Sequence, residues 1–581
     1  MNRKEILSAL KRYAFAAEVC GDDRVDGAAI SGALWGLRSV DEDLVEMHES
    51  GALQKSRHLS NVMKESIALL IDGEPLPFMD EMEASLPAGI FALQNVKGLG
   101  AKKIRMLWED LDVTDLSTLE YACSENRLLS LKGFGEKTQK KIVEQLKVLQ
   151  ANASLRRLDV AMALSKQWQG RLAEVDGVLE IFEAGSLVRR CEVVSDLHFV
   201  VSVELDIEEL APQILDLWEE MGAVDAAFDD ERTLSATYEG FPVLAYLCFE
   251  EEVGGALVWH RASPAHLVSL KGKAESLGAT FDSATLSLVE ECEKEEELYA
   301  ALGLICPTPE RRESGLLIEK GSAHPRLLER GDIVGALHNH TTASDGMATM
   351  QQMHEAATQM GLAYLGISEH SQSAVYAGGL APGDLQKQGA VIGGLNEKLD
   401  GCVLLTSVES DILPDGSLDY AAPLLAELHH VIASAHARGN LDRDAFTERM
   451  VRAARSPHTD IIGHPTGRLL LGRAPSDYDV TAFLEACEQS GTAVELNANP
   501  ARLDLNETHL AEAKERGICI SIAADAHSVE ALHHLDYGVA IARRAGLTVE
   551  DVLNCWDLKT LTEWFQTRRK KAGSVATSSP P

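Results

Sequence analysis

The sequence predicts a multidomain chain: an all-α N-terminal region, a small α+β domain, and a C-terminal α/β barrel of parallel strands. Three observations predict it. The chain has 581 residues, too long for one ordinary domain and consistent with about two to four. Its apolar periodicity changes twice, from short amphipathic helices to strand-like runs and then to strand–helix alternation. Seven strand–helix units follow one another in the last part, which is the pattern of a parallel barrel.

Residues 1–150 read as helical. Amphipathic runs such as EILSALKRYAF and NVMKESIALLI are broken by the turn signals GDD, DGEP and LPAG. Residues 151–315 change character: apolar strand candidates at 193–203, 234–238 and 243–249 alternate with helical stretches such as 212–221. An acidic run, ECEKEEELYA, then PTPERRESG, leads to a linker at 316–330. From 331 to 567 the strand candidates are IVGALH, AYLGIS, CVLLTSV, HHVIASA, DIIGH, TAVELN and ICISIAA. The tail, 568–581, is poor in apolar residues and is expected to be disordered.

Composition narrows the function classes. No apolar run reaches the length of a membrane span, and the amphipathic N-terminus is unlike a signal peptide; we expect a cytoplasmic monomer with no membrane partner. Ten cysteines without a CxxC pair argue against a disulfide framework and a zinc ribbon. The formal net charge of −36 repels phosphate. Contact with nucleic acid therefore needs local basic patches, backbone amides or bound metal, and the acidity alone favours a small-molecule enzyme.

All but one of the barrel strand candidates end in metal-ligand residue types. The first leads to His338, His340 and Asp345, the second to His370, the third to Glu409, the fourth to His436, the fifth to His464, and the seventh to Asp525 and His527. Strand C-termini of a parallel barrel meet at one face, so these side chains converge. Such nitrogen and oxygen donors, with no cysteine, suit two or three divalent ions, Mn²⁺ or Zn²⁺ with Mg²⁺ as a further candidate. Bound ions of this kind activate water and neutralise phosphate, the logic of a phosphoesterase. A single histidine at a strand end is ordinarily a hydrogen-bonded core or surface residue, and we read His354, His429, His458, His533 and His534 that way. Repetition around the barrel sets the others apart.

LHNHTTASDG, GISEHS, SVESDIL, VIASAH, IIGHPTGR and AADAH resemble the ordered motifs of the polymerase-and-histidinol-phosphatase (PHP) family. The resemblance implies a distorted seven-stranded barrel with a trinuclear site. By motif matching, one ion falls to His338, His340, Glu409 and Asp525, a second to Glu409, His436 and His464, and a third to Asp345, His370 and His527. Two positions depart from the family pattern: Ala336 and Glu369 stand where aspartate is usual, and the first substitution loosens support of a ligand histidine. Downstream, Arg468 is a candidate phosphate contact, and NANPARLDL adds Asn497, Arg502 and Asp504.

Two N-terminal segments, LQNVKGLGAKKIRMLWEDL and LLSLKGFGEKTQKKIVEQL, share the pattern helix, h-x-G-h-G hairpin, helix. Together they resemble a tandem helix-hairpin-helix module. Gly98, Gly100, Gly133 and Gly135 let the backbone approach DNA phosphates and offer amides at a helix start. Lys97, Lys102, Lys103, Lys132 and Lys137, with Arg105, Lys140 and Lys141 nearby, supply a local positive field, and such contacts are sequence-independent. QKSRHLSNVMKESI, by contrast, lacks the expected glycines and reads as plain helical packing.

With EAGSLVRRCEVVSDLHFVV between the hairpins and the barrel, the whole chain resembles a bacterial family X DNA polymerase with a nucleotidyltransferase-like palm. The palm pattern is degraded. Gly185, Ser186 and Asp196 match, but His198 takes the second aspartate position and Leu244 the third. Val188 replaces the first arginine, Arg189 matches the second, and WHRAS stands in for a Thr-Gly-Ser motif. One carboxylate of three is too few for a two-metal site, so polymerase activity is expected to be lost. The resemblance then implies a DNA-repair enzyme acting on gapped, nicked or 3′-recessed ends as a 3′–5′ exonuclease, 3′-phosphatase or abasic-site endonuclease. The alternatives are an active gap-filling polymerase with an attached exonuclease, a small-molecule phosphatase of the histidinol-phosphatase type, and a non-catalytic DNA-binding scaffold.

Overall fold

Residues 1–147 and 148–581 form two units. The computed structural model describes the chain except for residues 1–2, 22–23, 28, 32–43, 56–58, 60, 88, 151–154, 205, 230–231, 283–284, 290, 323–324, 438–440 and 579–581. The expected boundary near residue 151 and part of QKSRHLSNVMKESI lie outside the described residues.

The first unit is helical. Helix α1 (Arg3–Cys20) packs against α2 (Asn61–Asp72) and α3 (Ala101–Leu111). α3 buries Ile104, Leu107 and Leu111, the i, i+3, i+7 stripe of an amphipathic helix. α4 (Leu116–Ser124) starts at a capping box, with Asp115 accepting from the Thr118 amide. α5 (Glu136–Gln150) closes the second hairpin.

In the second unit, α6 (Leu158–Leu172) leads into a five-stranded sheet, β1 (Val178–Glu183), β2 (Leu197–Val203), β3 (Val224–Phe228), β4 (Thr233–Tyr238) and β5 (Phe241–Cys248), with α7 (Ile207–Glu220) before β3 and α8 (Val253–Arg261) after β5. The sheet order is β1-β2-β5-β4-β3, with β2 and β5 parallel and the other pairs antiparallel. Alternation along β2 explains its two covered faces: Phe199 and Val201 join the core of Trp168 and Trp218, while Val200 packs with Val253, Ala256 and Leu257 of α8. Within the expected linker, residues 318–319 pair antiparallel with 304–305.

The barrel strands are β6 (Gly335–Ala336), β7 (Tyr364–Ile367), β8 (Val403–Asp411), β9 (His430–Ser434), β10 (Ile461–Ile462), β11 (Ala493–Asn497) and β12 (Ile520–Ala523). Each pairs in parallel with the next. Their buried runs read as continuous apolar segments because both faces are covered. Helices α9 (Met350–Gln359), α10 (Pro382–Asn396), α11 (Arg443–Arg455), α12 (Val480–Ser490), α13 (Glu507–Glu515), α14 (Leu535–Arg544) and α15 (Leu558–Ser578) follow in order. Inside the barrel Leu337, Tyr364, Leu405, Ile432 and Ile461 meet Leu553, Leu561 and Phe565. His430 Nε2 donates to the Leu337 carbonyl at 2.8 Å, and a Cβ on Gly366 would lie 2.6 Å from the His430 ring, so this position requires glycine.

The first and last strands join without a regular ladder. Asn339 bridges Ala526, and the Asn554 side chain fills the gap. Its amide donates to the carbonyls of Gly335 and Ile522, each at 2.9 Å, and its oxygen accepts from the Ile522 amide at 2.8 Å.

The expectation of a disordered tail from residue 568 is corrected by α15, which runs on to Ser578. Leu561 and Phe565 hold its first half in the core, and from residue 568 charge adds to the anchor. Fully buried Asp460 accepts from Arg568 at 3.0 Å and from Arg569 at 2.6 Å, a paired arrangement that a reading of hydrophobicity overlooks. Among the described residues no helix is long and apolar enough to cross a membrane.

Candidate metal centre and nucleic-acid interface

The nine ligand-type residues all gather at the C-terminal ends of the barrel strands, in β8 or in the segments that leave the other strands. Three groups have donor atoms within 4.8 Å of one another: His340, Asp345, His370 and His527; His338, His340 and Asp525; and His370, Glu409 and His436. Glu409 lies at the centre. Its Oε1 is 3.0 Å from His436 Nε2 and 2.9 Å from His464 Nε2, and its Oε2 is 2.8 Å from His370 Nδ1. His340 Nε2 is 3.3 Å from Asp525, and His527 Nε2 is 3.3 Å from Asp345. The groups differ from the motif-based assignment in that His340 also belongs with Asp345, and His370 with Glu409.

The donor set fits divalent ions. His338 Nε2 and both ring nitrogens of His340 are buried without a hydrogen-bond partner, and His370 Nδ1 and Glu409 Oε2, though 2.8 Å apart, are not aligned as a hydrogen bond; atoms left so are costly unless something else binds them. Electrostatics point the same way. Burial would lower His338, yet Glu495, Asp525 and Glu409 hold it well above its ordinary value. Burial likewise opposes charge on His370 and His436, but Asp345 and Glu409 push the first up to about 10, and Glu409 and Asp411 push the second up to about 10. Burial, then the neighbouring His527 and His370, pushes His340 down to about 3. Burial would raise Glu409, Asp345 and Asp525, and the surrounding imidazoles hold all three well below the usual carboxylate range. Three ionised carboxylates therefore share a buried space that calls for positive charge.

A ring of supporting residues fixes the donors, and the sequence reading had not singled out its two chief members. Glu495, on the strand without a ligand, accepts from His338 Nδ1 at 2.7 Å, from the His464 amide at 2.9 Å and from Asn497 at 3.0 Å; Asn497 also donates to Asp525 at 2.9 Å. The support expected to be weakened by Ala336 thus comes from across the barrel. Asp411 accepts from His436 Nδ1 at 2.5 Å. Asp411 lies two residues from Glu409 and Glu495 is the one acid of β11, but neither position follows a spacing that names its partner. Glu369 accepts from the Thr341 amide and from the hydroxyls of Thr341 and Ser344, shaping the loop that carries Asp345. His464 itself has φ +23°, a conformation that costs on the order of 1–3 kcal/mol and is held by its surroundings.

Arg468 is not turned to the cluster. Its side chain donates to the carbonyls of Arg502 and Leu503 and to Glu192 of the sheet domain. Asp504 accepts from the Thr466 hydroxyl at 2.8 Å and the Gly467 amide at 2.8 Å. Both serve loop structure here, Arg468 through Nε and Nη2.

In the hairpins, Gly98 has φ +92° and Gly133 φ +94°, with open space where a side chain would be. Gly100 and Gly135 begin α3 and α5, and buried Leu99 and Phe134 anchor the turns. Lys97, Lys102, Lys132, Lys137, Lys140 and Lys141 are exposed. Lys103 differs: it donates to the Gly98 carbonyl at 3.1 Å and lies 5.3 Å from the Phe134 ring centre, bracing the two hairpins. Arg105 pairs with Glu109.

In the sheet domain Gly185, at φ +63°, brings the Gly185–Ser186 turn against Asp196 and His198; a Cβ there would lie 2.9 Å from the His198 Cβ. His198 stands opposite Leu244 in the β2–β5 register. Its ring meets His260 edge-on at 4.9 Å, and His260 packs on Tyr246 at 4.4 Å. Burial pushes His198 down and His260 down to about 3, so both rings are neutral. Arg189 is spent on Glu313 and on the carbonyls of Gly185, Arg261 and Ala262.

Fold and site together define a metal-dependent phosphoesterase barrel joined to a nucleotidyltransferase-like sheet domain and a hairpin tandem. A family described as a SAM-like helix-hairpin-helix tandem matches residues 91–147. The DNA polymerase/3′–5′ exonuclease PolX of Bacillus subtilis is 33% identical over 573 residues, 97% of this chain and 100% of that one. The chain belongs to this family, the bacterial family X DNA polymerases. A probable phosphatase of Thermoanaerobacter sp. is 27% identical over 248 residues, 41% of this chain and 96% of its own length. One of Shewanella oneidensis is 26% identical over 227 residues, 37% and 85%. Among solved structures, a ternary complex of Leishmania infantum polymerase beta aligns with 39% of this chain and 97% of its own at 15% identity, with a TM-score of 0.26.

Proposed function

We propose that this chain trims or repairs DNA 3′ ends by hydrolysis in the barrel, acting as a 3′–5′ exonuclease with 3′-phosphatase or abasic-site endonuclease activity at the same centre, and that the sheet domain no longer polymerises. One contrast carries the reading. The barrel brings eight ligand-type side chains into three groups with unpartnered donor atoms and sets His464 against Glu409, whereas the sheet domain keeps Asp196 alone, beside a neutral His198 and Leu244.

Two or three Mn²⁺ or Zn²⁺ ions held by His338, His340, Asp345, His370, Glu409, His436, His464, Asp525 and His527 would supply Lewis acidity and activate water. The chain's own residues do the positioning. Glu495 and Asp411 orient His338 and His436 by taking the proton of the ring nitrogen away from the cluster. Asn497 aims Asp525. The hairpin lysines and helix starts hold the DNA backbone without reading sequence, which reconciles an acidic chain with gapped, nicked or 3′-recessed DNA.

The test is a 5′-labelled gapped primer with Mn²⁺, with and without dNTPs. Shortening that His338→Ala abolishes and Asp196→Ala leaves intact is the expected result. Extension by dNTPs that needs Asp196 would overturn the loss of polymerase activity, and a primer left unchanged would overturn the nuclease.

A further inference from the structure

Glu192 lies in the sheet domain, seven residues beyond Gly185, yet its carboxylate serves the barrel. Arg468 Nη2 donates to it at 2.5 Å. Arg468 is four residues past His464, and its guanidinium also donates to the Arg502 carbonyl at 3.0 Å and to the Leu503 carbonyl. Those carbonyls belong to the loop after β11. That loop is closed on itself by Asn497 and Asp504, whose backbones exchange hydrogen bonds of 2.5 and 3.1 Å. It is stitched to the loop after β10 by the Asp504 carboxylate on Thr466 and Gly467. The two loops thus form one block. The inner end presents His464 to Glu409 and Asn497 to Asp525. At the outer end, Glu192 is the one carboxylate paired with Arg468 among the described residues.

We propose that Glu192 is a positioning residue for the phosphoesterase centre, acting through Arg468, so that the sheet domain braces the hydrolytic site. A nearly buried guanidinium that meets only carbonyls keeps an uncompensated charge, and its loop shifts to find solvent. His464, already in a left-handed conformation, is the ligand such a shift would release. Docking of the two domains does not depend on this pair alone. Arg544 donates to the Arg189 carbonyl at 2.5 Å and pairs with Glu313, and Tyr537 packs into the hydrophobic cores of both domains. Removing Glu192 therefore perturbs the block while leaving the domains together.

The inference rests on the barrel being the hydrolytic centre, and the experiment separates the two ideas. Glu192→Ala, Glu192→Gln, Arg468→Ala and the double variant Glu192→Ala/Arg468→Ala are compared with the wild-type chain, and Lys273→Ala, which removes the 3.0 Å ion pair of Lys273 with Glu319, serves as a control away from the barrel block. Mn²⁺ retained against a chelator, kcat and KM on labelled DNA, and Tm are measured. Glu192→Ala is expected to lose Mn²⁺ retention and kcat by about tenfold, as loss of a residue supporting a ligand does. KM and Tm should stay close to wild type, Glu192→Gln should recover part of the loss, and the double variant should be no worse than Arg468→Ala. Wild-type Mn²⁺ retention in Glu192→Ala overturns the proposal. So do losses that merely follow a fall in Tm, and losses from the two single variants that add. If the wild-type chain cleaves no DNA, the functional reading fails, and Mn²⁺ retention alone decides the role of Glu192.

Discussion

Glu495 accepts from His338, from the backbone of His464 and from Asn497, so one buried carboxylate sets three neighbours of the metal centre. Replacing it with alanine should lower metal retention and hydrolysis by about 10- to 100-fold, read by elemental analysis after dialysis and by primer shortening. Wild-type metal content in Glu495→Ala would remove this role. The candidate ligands could be singled out in the sequence because chemistry confines metal-binding side chains to few residue types, here repeated at strand ends. Glu495 and Asp411 were not, because a supporting acid has no spacing rule: its partner is chosen by packing across the barrel, 157 positions away for Glu495 and His338. Arg468 shows the converse. Its place beside a ligand motif suggested phosphate, and the fold spends it on a carboxylate and two carbonyls.

Among elements, the hairpins were the most readable, since glycine at a fixed offset before an amphipathic helix has one structural use. Their helix starts and exposed lysines should bind phosphate in proportion to charge. Lys102→Ala with Lys137→Ala is therefore expected to reduce the slope of log affinity for DNA against log salt by about two, measured by fluorescence anisotropy over a KCl series. An unchanged slope would place the DNA elsewhere. The strands were readable as units but not in length. IVGALH and DIIGH yield ladders of only two residues, Gly335–Ala336 and Ile461–Ile462, because the chain leaves the sheet to aim His338 and His464 inward. The final helix was missed at residues 568–569, where two arginines on Asp460 do what apolar side chains ordinarily do.

For the whole molecule, buried neutral histidines outside the metal centre set a response to acid. Burial pushes His260 to about 3 and His266 and His430 to about 4. Each is harder to protonate folded than unfolded, so the unfolded chain binds more protons below pH 6.5. The stability they contribute is complete above 6.5 and is lost as pH falls from 6.5 toward 4. At pH 5.5 each costs about 1.4 kcal/mol, or about 4 kcal/mol for the three. Ring NMR of His260, His266 and His430 from pH 7.5 to 5.5 should show all three neutral throughout, and is the direct readout because His338, His370 and His436, held above their ordinary value, change total stability with the opposite sign over the same interval. A ring that takes up a proton in that interval would remove its share. A last property follows from the side chain of Asn554, which closes the barrel by reaching Gly335, 219 residues earlier. On a ribosome the sheet domain emerges complete long before that partner exists, and domains fold as they emerge. The metal cluster needs His338 from the first strand and Asp525 after the last, so it assembles only when translation of the barrel is finished. A chain cut short inside the barrel carries the hairpins and the sheet domain and has no hydrolytic centre; the order of synthesis keeps unfinished copies from cutting.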